Sequence, residues 1–362
     1  MSTTALPGLR SDPFDQGFKG HRLALLLVAS ALILAGLLAL YSLKKSIPSS
    51  AYFTKQVMFI AIGTGLFLGV RRLNLEAAVR FWPWVYALNV AGLLSVYFIG
   101  DTRGGATRWI EIGPLQFQPS EFAKLFLIVT LSAFYATPGR DARDWRTFLG
   151  SLAHALPIVL MVFKQPHLGG AVSLLVIWGV ISMCAGARWQ HILIAISLAG
   201  TAVAFGMRGY QLERIEGLVS GDSQGSAYQV EQSLIAFATG GLTGAGFGQG
   251  PQKISRFIPA QQTDFVFTII GEEGGLVGST IVLVLFVTFF YLTWWNGVRA
   301  ETAMGRYVSF GVLGVLAFHT VANLGMVMGL TPVVGLWLPF MSYGGTAIMT
   351  CIMALGLLSA SR

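Results

Sequence analysis

Residues 262–296, QTDFVFTIIGEEGGLVGSTIVLVLFVTFFYLTWWN, form one apolar run that is too long for a single upright crossing of a bilayer. As one α-helix at about 1.5 Å per residue it would reach about 52 Å, against a hydrocarbon core of about 30 Å. Three of the glycines inside the run, Gly271, Gly274 and Gly275, flank the adjacent acids Glu272 and Glu273. A break at these glycines resolves the length, leaves Asp264 on a half-embedded first segment and brings the two glutamates near an interface. Backbone that departs from a helix at membrane depth is tolerated where it is buried in protein or lines water, so the break points to a cavity.

Outward from this run the chain has the composition of a polytopic membrane protein, with 54% hydrophobic and only 11% charged residues among 362. The expected fold class is all-α, with about ten transmembrane helices at 22–43, 52–70, 80–99, 120–136, 149–163, 169–187, 188–207, 262–296, 305–328 and 333–360. The whole of 1–362 is expected to be one integral membrane domain. It has a tail at 1–21 and a large polar loop at 208–263 between spans seven and eight. An even number of spans puts both ends on one side. Arg10, Lys19, Arg22, Arg71, Arg72, Arg80, Arg140, Arg143, Arg146, Arg188, Arg299, Arg306 and Arg362 fall on the side of the termini, and fewer cations (Lys44, Lys45, Lys55, Arg103, Arg108 and Lys164) fall on the other. The positive-inside rule therefore puts both termini in the cytoplasm and the large loop outside, with Lys44 and Lys45 running against it. The +8 net charge is a topology signal and does not argue for nucleic acid. Cys184 and Cys351 lie in predicted spans and suggest neither a disulfide nor a metal site. The start of the chain reads as retained and not as a cleaved signal.

Charged groups inside spans cost roughly 2.5–3.5 kcal/mol each at a helix centre, so each one needs a partner or a watery cavity. They gather in four places. In DTRGGATRWIEIGPLQFQPSEFAK, residues 101–124, Glu121 and Lys124 are three apart on one helix face and can pair, either as a self-neutralising couple or at the floor of a polar cavity. Arg108 beside Trp109 is an interfacial anchor or a phosphate grip. In KQPHLGG, residues 164–170, His167 is a candidate cavity wall. In the long loop, YQVEQSLIAF can form an amphipathic helix at the membrane surface. The glycines of GGLTGAGFGQG, which lack the spacing of a P-loop, permit tight turns and close packing. Asp264 is either a helix cap or a carboxylate able to take a proton from a substrate hydroxyl. In NLGMVMGLTPVVGLWLPFMSYGG, residues 323–345, Pro332 and Pro339 argue against a continuous helix. Asn323 and Ser342 there either satisfy freed backbone groups or line a cavity, as does Glu272. All four places lie on the outer side of the expected topology.

The same stretches, GATRWIEIG, FQPSEFAK, QPHLGG, YQVEQSLIAFATGGLTGAGFGQGPQK, IPAQQTDFVFTIIGEEGGLVG and NLGMVMGLTPVVGLWLPFMSYGG, in this order across residues 104–345, closely resemble the SEDS family of bacterial cell-wall proteins, the RodA/FtsW type. The resemblance implies a peptidoglycan glycosyltransferase of the bacterial cytoplasmic membrane that polymerises lipid II beside a class B penicillin-binding protein, in elongation or division. It makes Asp264 the essential acid and Glu121 with Lys124 a functional ion pair. Arg108, Lys124 and Lys253, with or without a divalent cation such as Mg or Mn, are then the candidates for holding the pyrophosphate. A lipid II flippase and a non-catalytic scaffold are the competing functions. One departure stands out. The family usually carries an acid after Gln-Pro in the loop between spans five and six, where this chain has His167.

Overall fold

The structure, a computed structural model, describes residues 13–47, 51–103, 106–112, 115–195, 197 and 225–361. In chain order the elements are helices α1 (Pro13–Ser46), α2 (Tyr52–Val70) and α3 (Leu75–Ile99), then strands β1 (Asp101–Arg103), β2 (Ala106–Ile112) and β3 (Leu115–Phe117). Helices α4 (Pro119–Ala136), α5 (Trp145–Lys164) and α6 (Leu168–Cys184) follow. After them come α7 (Ser226–Gly240), the short α8 (Pro251–Ser255), the long α9 (Val266–Val298), α10 (Ala303–Val327) and α11 (Gly345–Ala360). Residues 189–195 are also helical, and the rest of the expected seventh span and the first part of the long loop lie outside the described residues.

Among the described residues six helices are long and apolar enough to cross a membrane, α1, α2, α3, α5, α9 and α10, and α6 and α11 are shorter apolar helices. Three expectations need correction. The chain is mostly helical but not all-α, because 101–117 forms a three-stranded antiparallel meander, β1-β2-β3. The β-branched and aromatic residues of Ala106–Ile112 suit a pleated surface better than a helix. The expected last span, 333–360, is helical only from Gly345 onward, since Pro332 and Pro339 withhold backbone donors and restrict the residues before them. Of the expected tail, the part from Pro13 is already helix.

α9 is bent where the sequence asks for it. Gly275 has φ 61° and ψ −156° within an otherwise helical segment. The amides of Leu276 and Val277, which in a continuous helix would reach back to Glu272 and Glu273, donate instead to the carbonyls of Gly241 and Leu242 at 2.9 and 3.1 Å. The vacated carbonyls of Glu272 and Glu273 accept from the amides of Ala245 and Gly246 at 2.9 and 3.1 Å. The loop after α7 thus enters the break and satisfies two donors and two acceptors that would otherwise be orphaned in an apolar surround. Only glycine suits this exchange at two points. Gly244 (φ 85°) and Gly275 have left-handed backbone, and a Cβ on either would strike the other strand of the exchange.

Side chains tie the same knot. Glu272 reaches the amides of Gln252 and Lys253 at 2.6 and 3.3 Å and so caps the start of α8 from another helix. Glu273 pairs with Lys253, and Ser42 of α1 donates to both Glu273 oxygens at 2.6 and 2.7 Å while Lys253 Nζ bonds Ser42 Oγ at 2.6 Å. α7, expected to lie along the membrane surface, presses Ser233, Ala236 and Phe237 inward. Ser233 donates to Val327 O at 2.6 Å, and the ring of Phe237 meets that of Phe267. Elsewhere α2 packs on α11, α3 on α4, and α10 on α6 and α9.

Candidate functional site

The loop between α10 and α11, residues 328–344, folds back into the helices and is held by hydrogen bonds to the turn before α9. Asn323 Nδ2 donates to the carbonyls of Asp264 and Leu336, both at 2.7 Å. Ser342 Oγ donates to Thr263 O at 2.5 Å and accepts from Leu338 N at 2.8 Å, and Tyr343 N donates to Gln262 O at 2.8 Å. Gln56 of α2 bridges Ser342 O and Gly344 N at 3.0 and 3.2 Å. Thr346 links the start of α11 to Gln116 O and Gln118 N at 3.1 and 3.0 Å. Asn323 and Ser342 therefore satisfy freed backbone groups, and by doing so they fix the backbone that carries Asp264.

What these bonds frame is a cavity of about 300 Å³. Arg108 and Trp109 from β2, Gln118 and Glu121 at the start of α4, His167 between α5 and α6, Thr263 and Asp264 before α9, and Trp337 and Tyr343 from the folded-back loop all line it. Asp264 does not hold the N-cap position of α9, which falls to Phe265, a residue with no side-chain cap. Asp264 is instead a residue of the cavity wall.

Directly behind the wall is a buried polar layer. Lys124, only 1% exposed, donates to both Glu121 oxygens at 2.9 Å and lies 3.2 Å from His319 Nε2. The Trp337 indole donates to Glu121 Oε2 at 2.9 Å, and Lys124 Nζ stands 4.9 Å from the Trp337 ring centroid. Ser173 Oγ is 3.0 Å from His319 Nε2, and the His319 and Trp337 rings meet tilted at 45° with centroids 4.2 Å apart. An ammonium matched to a carboxylate, an aromatic face and an imidazole acceptor is a self-consistent arrangement for a charge that has left water. Its effect is to hold Glu121 in one orientation at the cavity edge.

His167 is buried in the wall, with Nδ1 3.4 Å from both Gln118 Nε2 and Ser120 Oγ. Burial, with the positive charges of Arg108 and Lys124 adding to it, pushes the imidazole well below its ordinary value, so the ring is neutral. At the position where the family pattern has an acid, this cavity carries an uncharged group. The charged residues of the wall are Arg108, Glu121 and Asp264.

The structure thus brings Arg108, Glu121, His167 and Asp264 to one cavity and keeps Lys124 one layer behind it. Asn323 and Ser342 stand behind the Asp264 backbone. Lys253 and Glu272 are not among the residues of the cavity wall. Lys253 is fully buried in the knot at the α9 bend, where its amine is taken by Glu273 and Ser42. Trp337 and His319 complete the Lys124 layer, and sequence reading did not single them out. The signal available was an indole and an imidazole in apolar context, which more often means packing than chemistry. Among the described residues no group of three or more His, Cys, Asp or Glu could hold a metal ion.

Comparison with known proteins shows what the chain is similar to. Stage V sporulation protein E of Bacillus subtilis is 32% identical over 94% of this chain and 96% of its own length. Peptidoglycan glycosyltransferase MrdB of Escherichia coli is 30% identical over 92% of this chain and 91% of its own. Among solved structures, a chain of a peptidoglycan synthase complex, determined for the structural coordination of polymerization and crosslinking, superposes with a TM-score of 0.78 at 28% identity, covering 93% of this chain and 96% of that one. The rod-shape-determining protein RodA of Thermus thermophilus superposes with a TM-score of 0.70 at 26% identity, over 93% and 94% of the two chains. With residues 21–361 matching the profile of the cell cycle proteins FtsW, RodA and SpoVE, the chain belongs to that family.

Proposed function

We propose that the protein is a peptidoglycan glycosyltransferase that polymerises lipid II at the outer face of the cytoplasmic membrane. The observation that carries this reading is the cavity itself. Four separate motifs converge on one cavity that Asp264, Glu121 and Arg108 line together with neutral polar and aromatic groups. In the proposed reaction Asp264 takes the proton from the 4-hydroxyl of the acceptor sugar as that oxygen attacks the anomeric carbon of the donor muramyl unit. The new glycosidic bond forms as the bond to the pyrophosphate oxygen breaks, with inversion, and undecaprenyl pyrophosphate leaves. A positioned base of this kind contributes about 10²–10⁴-fold.

The departing pyrophosphate needs positive charge in a low-dielectric site. Arg108 is the cation in the wall, and its planar fork suits phosphate oxygens. Lys124 acts from behind, through the field it adds and through Glu121. Neutral His167 favours the same anion, because an acid there would repel it. A resident metal cage does not fit this wall: Glu121 is already engaged by Lys124 and Trp337, which leaves Asp264 and His167 as the ligating groups. No step of the mechanism uses a metal.

In this reading the apolar runs make ten spans, and the distribution of Lys and Arg favours both termini in the cytoplasm and the cavity facing outward. The relative solved within a synthase complex supports a class B penicillin-binding protein as the partner that crosslinks the strands. The test is polymerisation of labelled lipid II by purified protein, with and without that partner, comparing wild type and Asp264→Asn at matched thermal melts. Loss of glycan product in a folded, partner-binding variant supports catalysis at Asp264. Undiminished product removes it as the base and returns the flippase and scaffold readings.

A further inference from the structure

A second cavity, with no residue in common with the first, opens beside the bend of α9. It measures about 280 Å³ and lies between α1 (Ala35, Leu38, Ala39) and both halves of α9 (Ile269, Ile270, Gly278, Ile281, Val282), with Phe247 at one end. Glu273 and Gly274 complete the lining, and Glu273 is neutralised there by Lys253. The bend creates this groove: a straight α9 would close on α1 where Gly274 and Gly275 now turn away.

Phe247 joins the groove to a pair of cations. Its ring stacks on Tyr41 at 6.4 Å and 16°, and Lys45 Nζ stands 5.0 Å from its centroid. Lys44, one residue earlier on the last turn of α1, lies with its Nζ 5.8 Å from the Phe53 centroid. Among the described residues neither lysine makes an ion pair with a carboxylate. These are the two residues that run against the positive-inside rule. Adjacent cations kept at the end of a helix where the topology does not favour them, without a carboxylate partner among the described residues and with Lys45 against the ring that ends the apolar slot, match the two halves of an amphiphile with an anionic head.

We propose that this groove binds an anionic phospholipid of the bulk membrane, with the phosphate at Lys44 and Lys45 and an acyl chain passing Phe247 and Tyr41 into the slot between α1 and α9. A lipid held there packs on the bend and braces the two halves of α9, of which the first follows directly on Asp264. The leaflet depends on the topology proposed above, but the binding does not.

The test uses the full-length protein, stripped of lipid in detergent and titrated with phosphatidylglycerol or phosphatidylethanolamine, with bound lipid counted by native mass spectrometry. The expected result is retention of one phosphatidylglycerol in preference to phosphatidylethanolamine. Retention weakens about 10-fold in the double variant Lys44→Gln, Lys45→Gln and is unchanged in Lys164→Gln, an exposed cation at the end of α5. Gly278→Leu supplies an independent arm. A Cβ at Gly278 meets nothing closer than 3.7 Å, so the side chain fills the slot and displaces lipid without touching the lysines. Equal retention of the two phospholipids, or full retention by both the lysine and the glycine variants, overturns the proposal. So does displacement of phosphatidylglycerol by equimolar undecaprenyl phosphate, which would assign the groove to the carrier lipid. None of these readouts involves glycan synthesis, so failure here leaves the glycosyltransferase reading intact and the converse holds as well.

Discussion

Lys124 with Glu121 and Lys253 with Glu273 are both buried ion pairs, the lysines 1% and 0% exposed, and they differ in what lies on the far side of the carboxylate. Beyond Glu121 is a cavity large enough for part of a substrate. Beyond Glu273 are Ser42, the bend of α9 and an apolar groove with no second charged group in its lining, with the neighbouring Glu272 spent on capping α8. Local sequence chemistry is nearly the same in the two places. What separates a working pair from a structural one is the set of third partners, Trp337 and His319 in the first case and Ser42 in the second.

The contrast predicts opposite failures. The largest expected effect is at the cavity: Asp264→Asn lowers polymerisation by about 10²–10⁴-fold with little change in melting temperature. At the bend, Lys253→Met leaves Glu273 buried without a countercharge, which costs about 3–5 kcal/mol. It reads out as lost yield and a lower melting temperature, while activity per folded molecule stays near wild type. The double variant Lys253→Met, Glu273→Leu recovers most of the stability, because removing both charges removes the desolvation cost as well. If the single variant melts normally but makes no glycan, Lys253 belongs to the chemistry and the comparison fails.

A smaller loss tests the bend through its backbone. Gly244→Ala forces a Cβ into a left-handed residue and against the Glu273 carbonyl, an expected cost of at least about 2 kcal/mol seen in thermal melts. On the cavity side, Trp337→Phe keeps the ring beside Lys124 and His319 but deletes the indole donor to Glu121. A lost hydrogen bond to a charged acceptor is worth about 1.5–3 kcal/mol, so polymerisation falls roughly 10-fold or more while the fold survives. A melt shift with unchanged activity would move Trp337 from positioning to packing.

The bend of α9 was legible in the sequence because it follows from arithmetic: a 35-residue run is longer than the membrane is thick, and the glycines inside it mark where it can yield. What fills the bend was not legible, since the exchange with residues 241–246 is made by backbone groups and leaves no side-chain pattern. The cavity was legible through Arg108, Glu121, His167 and Asp264, whose types are costly in hydrocarbon. Lys253 reads just as costly, and only its distant partners Ser42 and Glu273 show that its charge is already used. The meander at 101–117 was hidden by its brevity, three strands of three, seven and three residues between two long helices.

The smallest predicted effect concerns the acid that this cavity lacks. His167 is neutral in the folded protein because burial and the nearby Arg108 and Lys124 push its proton affinity down. Unfolded, it titrates near its ordinary value of 6.5. Below that value the unfolded chain binds a proton that the folded one refuses, so stability falls as pH falls, and above it both forms are neutral and the contribution vanishes. Between pH 7.5 and 5.5 the wild type should therefore lose roughly 1 kcal/mol more than His167→Gln, read as the difference between their melting-temperature profiles. Parallel profiles would mean that His167 takes up its proton in the folded protein at the same pH as in the unfolded chain. The wall would then gain a second cation beside Arg108 as the pH falls below 6.5, and its neutral character would hold only above that value.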